Sequence, residues 1–255
     1  MSKLSFSTLP CMDYGSTELL KLCEKYGFSG VEVRTKNDGS FVSGGGLYVT
    51  DVGSSFCIKG YDSNLLEAAN DLTKRIKDSG IGAMRVFLGN FCKRYDDPRA
   101  ELDYDGIVEM LRKMCDFSAC EIWIETHNEF ATGKTLKTLL SDINRENVKI
   151  IWDIIHPIED GETPEETVTY LGNNIAHVHI KDGKKHSDPI WHDYEYTPVG
   201  EGELPIKQIV DLLKKNGYDG FFSLEWESLW RDELKKLDWS VDKILKEYID
   251  FMDKI

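Results

Sequence analysis

The stretch VKIIWDIIHPIEDGETPEETVTYLGNNIAHVHIKD, residues 148–182, decides the fold. It opens with VKIIWD (148–153), a β-rich run whose apolar residues continue on successive positions, as in strands covered on both faces. Thr163 followed by Pro164 marks a helix entry, because proline loses nothing at the first helical position. IAHVHIKD (175–182) is a second strand. Strand, helix and strand in this order imply a parallel sheet.

The alternation extends both ways. Upstream lie the strand LSFSTL (4–9), the helix STELLKLCEKYG stopped by Gly27, and the strand GVEVRT (30–35). LYVTDVG (47–53) is a third strand after the Gly44-Gly45-Gly46 loop. The helix SNLLEAANDLTKRIKDSG follows, with Ser63 or Asn64 expected to open it and Gly80 to close it. AMRVFLG (83–89), DGIVEMLRKMCDFSA, EIWIETH (121–127) and GKTLKTLLSDIN continue as strand, helix, strand, helix. Downstream, PIKQIVDLLKKNG is a helix, GFFSLEWE (220–227) the eighth strand, and the tail from Asp232 is helical. Eight strand–helix units in 255 residues predict one (β/α)8 TIM barrel, a single domain over 1–255. The alternative is an open doubly wound sheet, but no G-x-G-x-x-G turn follows the first strand. Residues 36–62 are glycine-rich and leave a helix short or missing.

Composition narrows the partners. A net charge of -14 repels phosphate backbones and argues against nucleic acid. No run reaches the length of a membrane span, and the N-terminus lacks a signal-peptide layout. The six cysteines form no C-x-x-C pair and read as reduced thiols in a cytoplasmic protein. A homo-oligomer is compatible with this composition.

In such a barrel, function sits where strands end and βα loops begin. Strand five ends at Glu125, strand six at Asp153 with His156 three residues on, and strand eight carries Glu225 and Glu227. Strand seven carries His177, His179 and Lys181 on one face, and strand two Glu32 and Arg34. Glu125, Asp153, His179 and Glu225 are expected to converge, although periodicity alone does not separate His177 from His179. Burying three carboxylates together is costly, and one divalent cation (Mn, Mg, Co or Zn) removes most of that cost. Taken singly, each of these carboxylates reads more readily as a cap or a surface pair, so the combination carries the expectation. The long loop 182–204, with His192 beside Trp191, has room to cover the site.

The motifs ETH (125–127), WDIIH (152–156), HVHIKD (177–182), PVGEGELP (198–205) and SLEWE (223–227) resemble the xylose-isomerase-like barrel superfamily. That group includes sugar phosphate isomerases and epimerases, inosose dehydratases and an abasic-site endonuclease branch. The resemblance implies a single metal on Glu125, Asp153, His179 and Glu225, with Glu125 and Glu225 as the acid–base pair. It matches His156 and Lys181 to substrate-contacting residues. The endonuclease branch needs Asp-x-His where this chain has Tyr194-Glu195-Tyr196, and Lys185 stands where the ketose epimerases place an arginine.

The expected chemistry is proton transfer next to the carbonyl of a sugar or sugar phosphate, through a metal-stabilised enediolate. Elimination of water from a polyol ketone, as in an inosose dehydratase, is the alternative; a catalytically inactive sugar-binding barrel is another. Arg34 and Glu32 are candidates for the far end of the substrate, with an ion pair between structural side chains as the equal alternative. Arg85 carries the same ambiguity.

Overall fold

Ten strands form among residues 2–90, 102–187 and 194–255, which the computed structural model describes. In chain order they are β1 (Lys3–Ser7), β2 (Gly30–Arg34), β3 (Val49–Ile58), β4 (Ala83–Leu88), β5 (Glu121–Glu125), β6 (Val148–Asp153), β7 (Ile175–Ile180), β8 (Asp182–Lys185), β9 (Tyr194–Thr197) and β10 (Phe221–Leu224). Eight of them close into a barrel in the order β1-β10-β7-β6-β5-β4-β3-β2, while β8 and β9 pair apart as an antiparallel hairpin. The helices are α1 (Ser16–Tyr26), α2 (Ser63–Asp78), α3 (Tyr104–Phe117), α4 (Gly133–Ile143), α5 (Ile155–Glu159), α6 (Pro164–Leu171), α7 (Ile206–Lys215), α8 (Asp232–Lys235) and α9 (Val241–Met252). No helix among the described residues is long and apolar enough to cross a membrane.

The chain clusters into two compact units, Met1–Thr50 with His177–Ile255, and Asp51–Ala176. In the first, β1 pairs in parallel with both β2 and β10, and Ser223 of β10 lies in register with His179 of β7. Outside these strands, Phe28 stacks on Tyr248 of α9, whose hydroxyl donates to the Phe222 carbonyl at 3.0 Å. In the second unit, β4, β5 and β6 pair in parallel and bury Met84, Val86, Ile122, Ile124, Ile150 and Ile151. Each such side chain contributes about 1.5–3 kcal/mol by leaving water. The apolar stripes of α3 and α4 cover them, through Ile107, Met110 and Leu111 on α3 and Leu136 and Leu139 on α4.

Three local expectations change. Helix α2 is capped by Asp62, whose side chain accepts from the Asn64 and Leu65 amides, and not by Ser63 or Asn64. A carboxylate one residue earlier reaches the open N–H groups and complements the helix dipole. His156 lies inside the short helix α5 instead of an open loop, because Asp153 Oδ1 accepts the Ile155 amide at 3.2 Å and starts the turn. The stretch expected as a loop after the seventh strand contains the β8–β9 hairpin. No helix separates β2 from β3, and Thr163 caps α6 with Pro164 in its first turn, both as the sequence indicates. His192, Trp191 and Cys92 lie outside the described residues.

Candidate active site

Polar side chains gather at the C-terminal ends of the barrel strands, in two groups. The first belongs to β2, β7 and the residues that follow β10. Glu32, His177 and His179 are completely buried. Glu32 Oε2 lies 2.8 Å from His179 Nε2 and 3.6 Å from His177 Nε2. Burial would raise the Glu32 carboxyl, but the His179 and His177 imidazoles outweigh it and hold it well below the usual carboxylate range. An ionised carboxylate only accepts, so His179 donates from Nε2, with Nδ1 on the other side of the ring. That Nδ1 faces Glu225 Oε2 at 3.3 Å. Burial lowers the His177 pKa, with Glu32 opposing, so this ring favours its neutral form.

Lys181 Nζ donates to Glu225 Oε2 at 2.6 Å and to Glu227, and lies over the Tyr196 ring. The next residue, Asp182, organises the loop beyond. Its carboxylate accepts the amides of Gly183, Gly200, Gly202 and Leu204 at 2.9 to 3.2 Å. Burial raises its pKa, and those four donors oppose the rise. The GEG motif follows from this packing: a Cβ on Gly202 would stand 2.0 Å from Asp182 Oδ1. Asp182→Ala strands several buried N–H groups at about 1–3 kcal/mol each, partly recovered by water. We expect a loss of about 2–4 kcal/mol in chemical denaturation, with faster amide exchange confined first to Gly200 and Gly202.

The second group belongs to β4, β5 and β6. Arg85, completely buried, donates from Nη1 to Glu125 Oε2 at 2.5 Å and from Nη2 to the Ser54 carbonyl at 2.9 Å. Its guanidinium lies over the Phe87 ring, 4.0 Å from the centroid. Asp153 is fixed through its backbone, which exchanges hydrogen bonds with the Thr126 hydroxyl. His156 Nε2 lies 3.4 Å from Asp153 Oδ2, and its Nδ1 lies 2.8 Å from Glu159 Oε2. The His127 ring meets the His156 ring edge-on, at 4.5 Å between centroids. Glu125, His127 and His156 each bring one ligand atom within 4.8 Å of the others.

Within the first group the structure thus joins Glu32, His179, Lys181 and Glu225, and within the second Glu125, Asp153 and His156. It does not join Arg34 to Glu32. Sequence reasoning missed Glu159 and Thr126 as supporting partners. The three-residue spacing from His156 to Glu159 is visible in the sequence once a helix is assumed there, whereas nothing marks Thr126 as a partner of the next strand. The five described cysteines are free thiols, and burial pushes the Cys11 and Cys115 thiols up to about 12, so they stay protonated at neutral pH.

Comparisons place this architecture among known proteins. A family profile described as "Xylose isomerase-like TIM barrel" matches residues 60–255. An uncharacterised protein of Methanocaldococcus jannaschii is 31% identical over 125 residues, covering 48% of this chain and 39% of that protein. An inosose dehydratase of Geobacillus thermodenitrificans is 23% identical over 143 residues, covering 50% of this chain and 48% of that protein. The chain thus spans less than half the length of these curated relatives. Among solved structures, a zinc-bound IolI protein superposes with a TM-score of 0.73 at 17% identity, covering 96% of this chain and 94% of that one. A D-allulose 3-epimerase of Methylomonas sp. in complex with D-allulose also gives 0.73, at 15% identity, covering 99% and 96%. The chain belongs to the xylose isomerase-like TIM barrel family.

Proposed function

We propose that this protein is a metal-dependent isomerase or epimerase of a sugar or sugar phosphate, with Glu125, Asp153, His179 and Glu225 as the ligands of one divalent cation. One observation carries the reading. Nδ1 of His179 and Oε2 of Glu225 face each other at 3.3 Å in a buried setting. The Lys181 ammonium pairs that oxygen, and a divalent cation would meet the imidazole nitrogen and the carboxylate together. The donor set fits such a cation: three buried carboxylates and one imidazole, at the ends of strands adjacent in the sheet order. A bound cation would polarise the substrate carbonyl and stabilise the charge that builds on its oxygen when the neighbouring proton leaves.

The chain's own groups do the rest. Glu125 and Glu225 are the two carboxylates that take and return the proton. Lys181 orients Glu225, and Arg85 orients Glu125, each by a hydrogen bond to Oε2. His156 stands beside Asp153 with Nδ1 anchored on Glu159, so its Nε2 is presented to substrate oxygens. Glu32 holds the His179 ring through Nε2. Glu32→Gln is expected to weaken metal binding by roughly 10–100-fold, the usual effect of removing such a supporting partner; equilibrium dialysis against Mn2+ measures it.

Inosose dehydratases among the relatives favour a second reading, elimination of water after the same first proton removal. Incubation in D2O with ketoses, inososes and their phosphates separates the two. Deuterium uptake without loss of water marks the isomerase or epimerase, and loss of water marks the dehydratase. Metal-loaded protein that exchanges no proton with any of them sinks both.

A further inference from the structure

Among the described residues three cations are buried, all on barrel strands or just beyond them, and two have carboxylate partners. Arg85 is held by Glu125, and Lys181 by Glu225 and Glu227. Arg34, the last residue of β2, is the third. It is only 8% exposed. Its backbone amide donates to the Thr8 hydroxyl at 3.0 Å. Among the described residues, however, its guanidinium has no ion pair or hydrogen bond, since Glu32 is committed to His179 and His177.

The direction of Arg34 follows from strand alternation. Residues two apart on a strand share a face. The Glu32 side chain meets the β7 histidines, so it points into the barrel interior. Arg34 therefore lies on the same interior face, one layer nearer the strand ends where substrate is expected. A guanidinium is always charged, and withdrawing it from water without an anion is costly. The chain has 45 acidic against 31 basic side chains, so a protein carboxylate for Arg34 was not in short supply. A planar fork of donors without an anion among the described residues matches a carboxylate or a phosphate, which it binds through two parallel hydrogen bonds.

We infer that Arg34 is the anion anchor of the substrate site, and that the substrate carries a carboxylate or a phosphate at the end remote from the reacting carbon. This rests on the proposed function for the reacting carbon, but not for the anion itself. The site deepens that reading by excluding neutral sugars as the preferred class.

Thermal melting decides it, with inorganic phosphate and glycolate as separate probes against sodium chloride of equal ionic strength. Wild type should melt higher with one of the two anions, and the better anion names the group. Arg34→Gln should lose that gain, and Arg34→Lys should keep part of it. Without anions, Arg34→Gln should melt no lower than wild type, because it removes a buried charge that no described residue pairs. Equal gains in wild type and Arg34→Gln, or no gain in either, overturn the inference. So does anion-free melting of Arg34→Gln several degrees below wild type, which marks a structural cation. In the D2O assay, Arg34→Gln should raise KM for the anionic substrate roughly 30-fold or more and spare kcat. Best turnover on an uncharged sugar, with KM unchanged in Arg34→Gln, defeats the anchor while leaving the isomerase intact. If no substrate exchanges, the proposed function fails and the melting result still decides the anchor.

Discussion

Glu225→Gln is expected to lower turnover by about 10²–10⁴-fold, the range for removing a positioned proton carrier. Glutamine keeps the size and one acceptor oxygen, so the fold should persist while the carboxylate's proton chemistry is gone. The Lys181 hydrogen bond survives in form but loses its charge partner, which Glu227 still supplies. Glu125→Gln should behave alike, and the two losses should not multiply, because one proton path needs both groups. Single-turnover deuterium exchange checks this. Turnover within threefold of wild type in either variant would remove that glutamate from the mechanism.

The second large effect is on stability. Arg85→Met leaves Glu125 buried beside a thioether, and breaking a buried pair from one side costs about 3–5 kcal/mol. In a chain of this length that lowers the melting temperature by roughly 6–20 °C. The double variant Arg85→Met/Glu125→Gln should recover much of the loss, since no unpaired charge remains. The loss should also be larger with a chelator present than with added Mn2+, because a cation on Glu125 replaces part of what the guanidinium supplies. Equal losses in both conditions would argue that Glu125 meets no metal.

The sequence and the structure agree where apolar pattern dominates. The strand VKIIWD ends at Asp153 and the strand EIWIE ends at Glu125, because a buried run of branched residues allows few other solutions. The start of helix α6 was legible to the residue, since Thr163 followed by Pro164 marks it. Side-chain partnerships were less legible. Glu32 and Arg34 lie two apart on one face and have opposite charge, yet the barrel gives Glu32 to the β7 histidines. Which long-range neighbour wins depends on register around a closed sheet, and no local spacing encodes that. Arg85 and Glu125 illustrate the same limit: forty positions apart, they meet because β4 and β5 pair in parallel. The β8–β9 hairpin escaped for a different reason, since its strands, DGKK and YEYT, carry too little apolar alternation to stand out.

The four-amide grip of Asp182 has a further consequence. It ties the first residue of the hairpin to Gly200, Gly202 and Leu204, so both ends of the excursion are staked to one point. Lengthening a loop between fixed ends costs little, about 0.6 kcal/mol per doubling. One side chain therefore sets where the hairpin leaves and where its return path ends, so a change of length between those ends need not displace Lys181, the residue just before Asp182.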